Sequence, residues 1–144
     1  MTAGSITSER VKPTLETRFH IDYAWWERSE QDLRMNMIGQ LPPEQREYFM
    51  QHSADTESDW IDPETAEVHR VDALRVALQE AAKEPAYFLP PVSLVDAVFR
   101  VFLTNNNLPQ TPIELAARLN RPPMTILRTL TGGQVYKGIR PFVG

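Results

Sequence analysis

The chain contains no cysteine, which removes disulfides, thiol nucleophiles and Cys-ligated zinc at the outset. Histidine is scarce as well. His20, His52 and His69 stand far apart without an H-x-x-x-H spacing, so no metal site is expected, and nothing in the sequence asks for a cofactor. No run of about 18 apolar residues occurs, which argues against a membrane-spanning helix. The opening MTAGSITSER lacks the apolar core of a secretory signal, so the expectation is a cytoplasmic protein. Glycine is short, six against twelve prolines, and that ratio cuts the chain into short elements rather than one long coiled coil. No internal repeat, phosphate loop or nucleophile elbow is present.

What is present fits a soluble globular protein. The 144 residues, 42% of them apolar, suffice for one ordinary domain or two small lobes sharing a core. The net charge of −4 hides an asymmetry. Over residues 111–144, Arg118, Arg121, Arg128, Lys137 and Arg140 face Glu114 alone, a balance of +4 that leaves −8 on the remainder. A basic end on an acidic body is the expected footprint of a small phosphate-facing module; a dipolar protein with no nucleic-acid partner is the lesser alternative.

Residues 1–17 lack periodicity and read as a flexible arm. From Arg18 to Trp26 the apolar residues Phe19, Ile21, Tyr23 and Trp25 alternate with His20 and Asp22, the period of a half-buried strand. A strand there sends Trp25 and Trp26 to opposite faces, so the two should differ in burial or in partners. Ser29 suits the cap of a helix to Gln40; Pro42 and Pro43 stop it and start another to about Gln51. Residues 59–62 and 67–71 flank a proline turn and read as a hairpin that joins the first strand in a small antiparallel sheet. Asp72 caps an alanine-rich helix to Ala82, and residues 87–91 form an apolar connector broken by proline.

The clearest signals lie beyond it. Ser93 caps a broadly apolar helix that carries Leu94, Val95, Val98, Phe99, Val101 and Phe102. Thr111, Pro112 and Glu114 satisfy a capping box with proline at the first helical position, which opens a helix to Leu119. After a turn at residues 120–122, a third helix runs from Pro123 to about Thr131. With Met124 at zero and about 100° per residue, Ile126, Leu127 and Leu130 fall at roughly 200°, 300° and 240°, opposite Thr125, Arg128 and Thr129. Gly132 and Gly133 end that helix, and residues 135–142 read as a basic strand.

TPIELAARLNRPPMTILRTL followed by GGQVYKGIRPF resembles the winged helix-turn-helix superfamily, over about a third of the chain. The resemblance implies that Thr125, Arg128 and Thr129 enter a major groove, while Lys137 and Arg140 of the wing meet the duplex backbone or minor groove; Arg121, in the turn before the third helix, is a further candidate DNA contact. The expected fold class is α+β: a small antiparallel sheet with helices over residues 18–90, a lobe for dimerisation or sensing, followed by a three-helix winged unit over 91–144.

Other signals carry less. Asp55, Glu57 and Asp59 suggest a calcium loop, but its sixth position is Trp60 instead of glycine and its twelfth is Ala66 instead of glutamate. Asp62, Glu64 and Glu67 are acidic turn residues with no accompanying nucleophile, so no catalytic residue is assigned. Tyr23, Trp25, Trp26 and Trp60 concentrate aromatic area, which core packing explains best. The leading expectation is a transcriptional regulator that binds double-stranded DNA, as a monomer or homodimer. Its rival is a protein–protein interaction module that docks a protein partner through the same unit. A continuous positive face joining Arg121, Arg128, Lys137 and Arg140 favours DNA, whereas scattered charges beside exposed apolar surface favour a protein partner.

Overall fold

Helix α5 (Leu94–Thr104) is the axis of the fold, and its composition explains why. Ala97, Val98, Phe99, Val101, Phe102 and Leu103 are all buried, a helix apolar on nearly every side, and such a helix is stable only when surrounded. The computed structural model describes residues 12–52, 57–61 and 68–143, with the backbone alone for 57–61 and 68–72. Among these residues it is an α+β protein of seven α-helices and two separate two-stranded antiparallel sheets.

The first sheet joins the two ends of the chain. Strand β1 (Phe19–Ile21) pairs with β4 (Ile139–Pro141), Ile21 opposite Ile139 and His20 opposite Arg140. The other edge of β1 is closed by Gln110, whose backbone exchanges two hydrogen bonds with Phe19 at 2.8 and 3.0 Å. It is also closed by the Asn107 side chain. That amide accepts from Ile21 N at 2.8 Å and donates to Ile21 O at 2.9 Å, taking the place of a strand neighbour. The expected joint sheet with the hairpin therefore does not form. Strands β2 (Glu57–Ile61) and β3 (Val68–Asp72) do make the expected hairpin, but as a sheet of their own.

Strand β1 also ends earlier than its alternation suggests. The Asp22 carboxylate accepts from Ala24 N at 3.0 Å and Trp25 N at 3.4 Å, so it caps helix α1 (Tyr23–Arg28), and both tryptophans are helical. A capping carboxylate outweighs a periodicity carried by only four apolar residues. Ser29 closes α1 instead of opening the next helix; Asp32 does that, accepting from Met35 N at 3.2 Å at the start of α2 (Leu33–Ile38). Helix α3 (Pro43–Gln51) begins at the expected proline, and α4 (Ala73–Ala81) follows β3 directly. A 3-10 turn (Pro85–Phe88) then brings Tyr87 and Phe88 into the core.

One cluster of buried side chains runs through both halves. Phe19, Ile21, Trp26, Ile38 and Leu41 meet Phe99, Leu115, Leu119, Ile126 and Ile139 in it. Trp26 is buried, donates from Nε1 to Lys137 O at 3.0 Å, and lies 6.0 Å from the Phe99 ring. Trp25 is only half-buried, edge-on to Trp26 at 5.1 Å. The two do differ in burial and partners, through their positions on a helix. Residues 14–17 form a hydrogen-bonded turn, with Thr17 N donating to Thr14 O at 3.0 Å.

Candidate interaction site

Three helices in sequence build the candidate site, the first two started by side-chain caps and the third by proline at its first position. Ser93 Oγ accepts from Asp96 N at 3.2 Å at the head of α5. Helix α6 (Pro112–Leu119) opens with the reciprocal capping box: Thr111 N donates to Glu114 Oε1 at 2.8 Å, and Glu114 N donates to Thr111 Oγ1 at 3.1 Å. Asn120, at φ 54° and ψ 50°, takes the left-handed conformation that turns the chain, and α7 (Pro123–Leu130) follows three residues later. Ile126 and Leu130 are buried and Leu127 is half-buried, while Met124, Thr125 and Arg128 are exposed and Thr129 is half-exposed. The outward face of α7 is the one its periodicity predicts.

The six basic and hydroxylic residues singled out in the sequence are not gathered in one place. Thr125, Arg128 and Thr129 share α7, where Thr129 Oγ1 donates back to Thr125 O at 2.8 Å and Arg128 Nε to Met124 O at 3.3 Å. Arg121 instead reaches the carbonyl of Val92, ahead of α5, and its Nε is buried without an acceptor. Lys137, at φ 52°, lies across the core: Nζ donates to Asn36 Oδ1 at 2.8 Å, sits 3.6 Å from Asp96 Oδ1 and stands over the Phe99 ring at 5.5 Å. Arg140 pairs with Asp22 at 3.3 Å. Of the remaining basic residue, Arg118, the guanidinium covers the Phe88 ring at 4.7 Å.

The expected wing is likewise rearranged. Strand β4 has no second strand of its own and takes β1, from the opposite end of the chain, as its partner. Its one cation, Arg140, pairs with Asp22 of that other end, and Lys137 just before it lies against Asp96 of α5. Beside α7 lies an apolar groove of about 550 Å³, lined by Pro13, Thr14, Leu15, Glu16, Ile113, Met124 and Leu127. Ile113 and Met124 are about half exposed there.

A buried polar network, unsuspected from the sequence, ties α2 and the 3-10 turn to α5. Gln40 is 4% exposed. Its Oε1 accepts from Arg100 Nε at 2.8 Å and its Nε2 donates to Asp96 Oδ1 at 3.2 Å. Its carbonyl accepts from the Tyr87 hydroxyl at 2.7 Å, and Arg100 both donates to Tyr87 O at 2.8 Å and lies 4.4 Å over the Tyr87 ring. Every polar group at the centre of this network has a partner, which is what makes its burial tolerable. The only hint of it in the sequence is the polar face of α5 at Asp96 and Arg100.

Burial raises the pKa of the Tyr87 hydroxyl to about 12, with Arg100 opposing the shift and Asp96 adding to it. Folding thus favours the neutral phenol. That preference is fully present below the usual value near 10 and is lost as pH rises from there through about 12. In an ultraviolet titration, Tyr87→Phe should therefore remove the latest-ionising tyrosine, and the intact protein should lose stability above about pH 10. Complete tyrosinate formation near pH 10 with the helices still folded would contradict this.

The remaining candidates do not converge. His20 stands edge-on to Phe142 at 5.1 Å, with its pKa lowered mainly by burial against the opposing pull of Asp22. His52 stacks on Tyr48 at 4.3 Å. Among the described residues no three histidine or carboxylate groups gather as metal ligands, and no helix is long and apolar enough to cross a membrane. The calcium-loop positions Asp55 and Ala66, the carboxylates Asp62, Glu64 and Glu67, and the side chains of Glu57, Asp59, Trp60 and His69 lie outside the described residues. The chain matches no family model, no curated protein and no solved structure.

Proposed function

We propose that this chain is a non-catalytic interaction module that docks an apolar segment of a protein partner on the outward face of α6 and α7. The observation that carries the reading is the disposition of the five basic residues of the last third. Arg118, Arg121, Lys137 and Arg140 each already engage a ring, a carbonyl or a carboxylate of the chain itself. Of the five, only Arg128 has no contact beyond its own helix among the described residues. Proteins that live on duplex DNA commonly make about 6–10 phosphate contacts. Here Arg128 and the half-exposed Arg140 would neutralise about two phosphates, a salt slope of roughly −2. Exposed Ile113 and Met124, bordering the groove with Leu15, supply the apolar surface that a protein partner requires.

The second reading, a transcriptional regulator on DNA, is favoured by the exposed outward face of α7. Thr125 and Arg128 are exposed on it, and threonine and arginine are side chains that a recognition helix uses to contact base edges. One pair of measurements separates the two. The intact protein titrated with a labelled random duplex library at low salt should show no saturable binding. A photo-crosslinking residue in place of Met124 should trap a protein that one in place of Val76, on α4, does not, and Ile113→Glu should abolish the trap. Saturable duplex binding that Arg128→Ala weakens by about 1–3 kcal/mol would reverse the choice.

A further inference from the structure

Helix α3 is the most exposed of the described α-helices. Of its nine residues only Phe49 is buried. A helix this short is marginal in water, and in folded proteins packing of an apolar face normally sustains it. Here much of the apolar surface points outward: Tyr48 is 53% exposed, Met50 52% and, on the neighbouring α2, Met35 42%. Pro43, Arg46, Glu47 and Met50 fall at the i, i+3, i+4, i+7 spacing of one helix face. Together with Met35, Ile38 and Gly39 they line a groove of about 410 Å³.

The stripe is complementary to itself. Two copies of α3 set antiparallel about a two-fold axis between positions 46 and 47 put Arg46 of each opposite Glu47 of the other. The same operation puts Pro43 opposite Met50, again twice. Arg46 Nε donates to Leu41 O at 3.1 Å, which fixes the base of the guanidinium. Its two terminal nitrogens and the Glu47 carboxylate have no partner among the described residues. We infer that a second copy of this chain covers this face, forming a symmetric dimer through α3 and the Met35 side of α2. The dimer is independent of whatever α7 binds, and it would present two α7 faces related by the same axis.

Sedimentation velocity from low micromolar to near-millimolar protein should show a concentration-dependent monomer–dimer equilibrium. Arg46→Glu sets carboxylate against carboxylate across the axis, and Glu47→Arg sets guanidinium against guanidinium. Each variant alone should therefore raise the dimer Kd at least about tenfold. Mixed one to one, the two variants bring opposite charges together again at both contacts, so that a heterodimer near wild-type affinity should form. Both positions are exposed, so circular dichroism of both variants and Tm of Glu47→Arg should match the wild type and exclude misfolding, with a small Tm loss allowed for Arg46→Glu, which also gives up the Leu41 O bond. A wild type that stays monomeric throughout, single variants that dimerise as the wild type does, or a mixture that fails to associate would each overturn the inference.

Discussion

Phe99→Ala is expected to cost about 3–5 kcal/mol, a large part of the roughly 5–15 kcal/mol that holds a typical domain together. Phe99 is 0% exposed at the middle of α5. Its ring touches two long-range partners: Trp26 from the amino-terminal half at 6.0 Å and Lys137 from the carboxy-terminal segment at 5.5 Å. Truncation removes the transfer free energy of the ring and opens a cavity that close-packed neighbours fill only in part. Tm should fall by on the order of 10 °C. The course of unfolding matters as much as its size. Because the buried cluster draws on both halves, tryptophan fluorescence and helical circular dichroism should move together in wild type and variant alike. Two separated transitions, or a loss below about 1 kcal/mol, would mean that the halves are independent lobes.

Gly138→Ala should cost about 2–4 kcal/mol through a different mechanism, the sum of backbone strain and overpacking. Gly138 lies at φ 72°, a conformation that L side chains rarely adopt, directly after Lys137 at φ 52°. An added Cβ would stand 2.7 Å from Nε1 and 2.9 Å from Cδ1 of Trp26, and 3.1 Å from Cε3 of Trp25. Trp26 cannot easily yield, since it is buried and its Nε1 is bonded to Lys137 O. The carbonyl of Gly138 also accepts from Asp22 N at 2.8 Å, so strain here reaches both the β1–β4 pair and the start of α1. Gly133→Ala is the matched control: nothing lies within 4 Å of its added Cβ, and its Tm should be nearly unchanged. A Gly138→Ala protein as stable as that control would show that the segment does not pack against the tryptophans as described. Thermal denaturation of the two alanine variants beside the wild type measures this directly.

The sequence by itself determined those features whose causes lie within a few residues of one another. The capping box at Thr111 and Glu114, the serine cap at Ser93 and the proline starts at Pro43, Pro112 and Pro123 placed four helices, because a cap or a missing N–H acts within one helical turn. The spacing of Ile126 and Leu130 likewise determined which side of α7 is buried. At Asp22 two local signals competed, and the carboxylate cap outweighed the alternation. Only the tertiary structure decided what partners each element. Strand β1 finds β4 across more than a hundred residues, and the Asn107 amide completes its far edge from 86 residues away. Gln40 is drawn between Asp96 and Arg100, and Lys137 and Arg140 direct their charge to Asp96 and Asp22. None of these pairings leaves a trace in the spacing of neighbouring residues. A cation in a basic strand reads alike whether it faces solvent or a carboxylate of the same chain, and that choice belongs to packing, which sets the sign of the surface on which the proposed function rests.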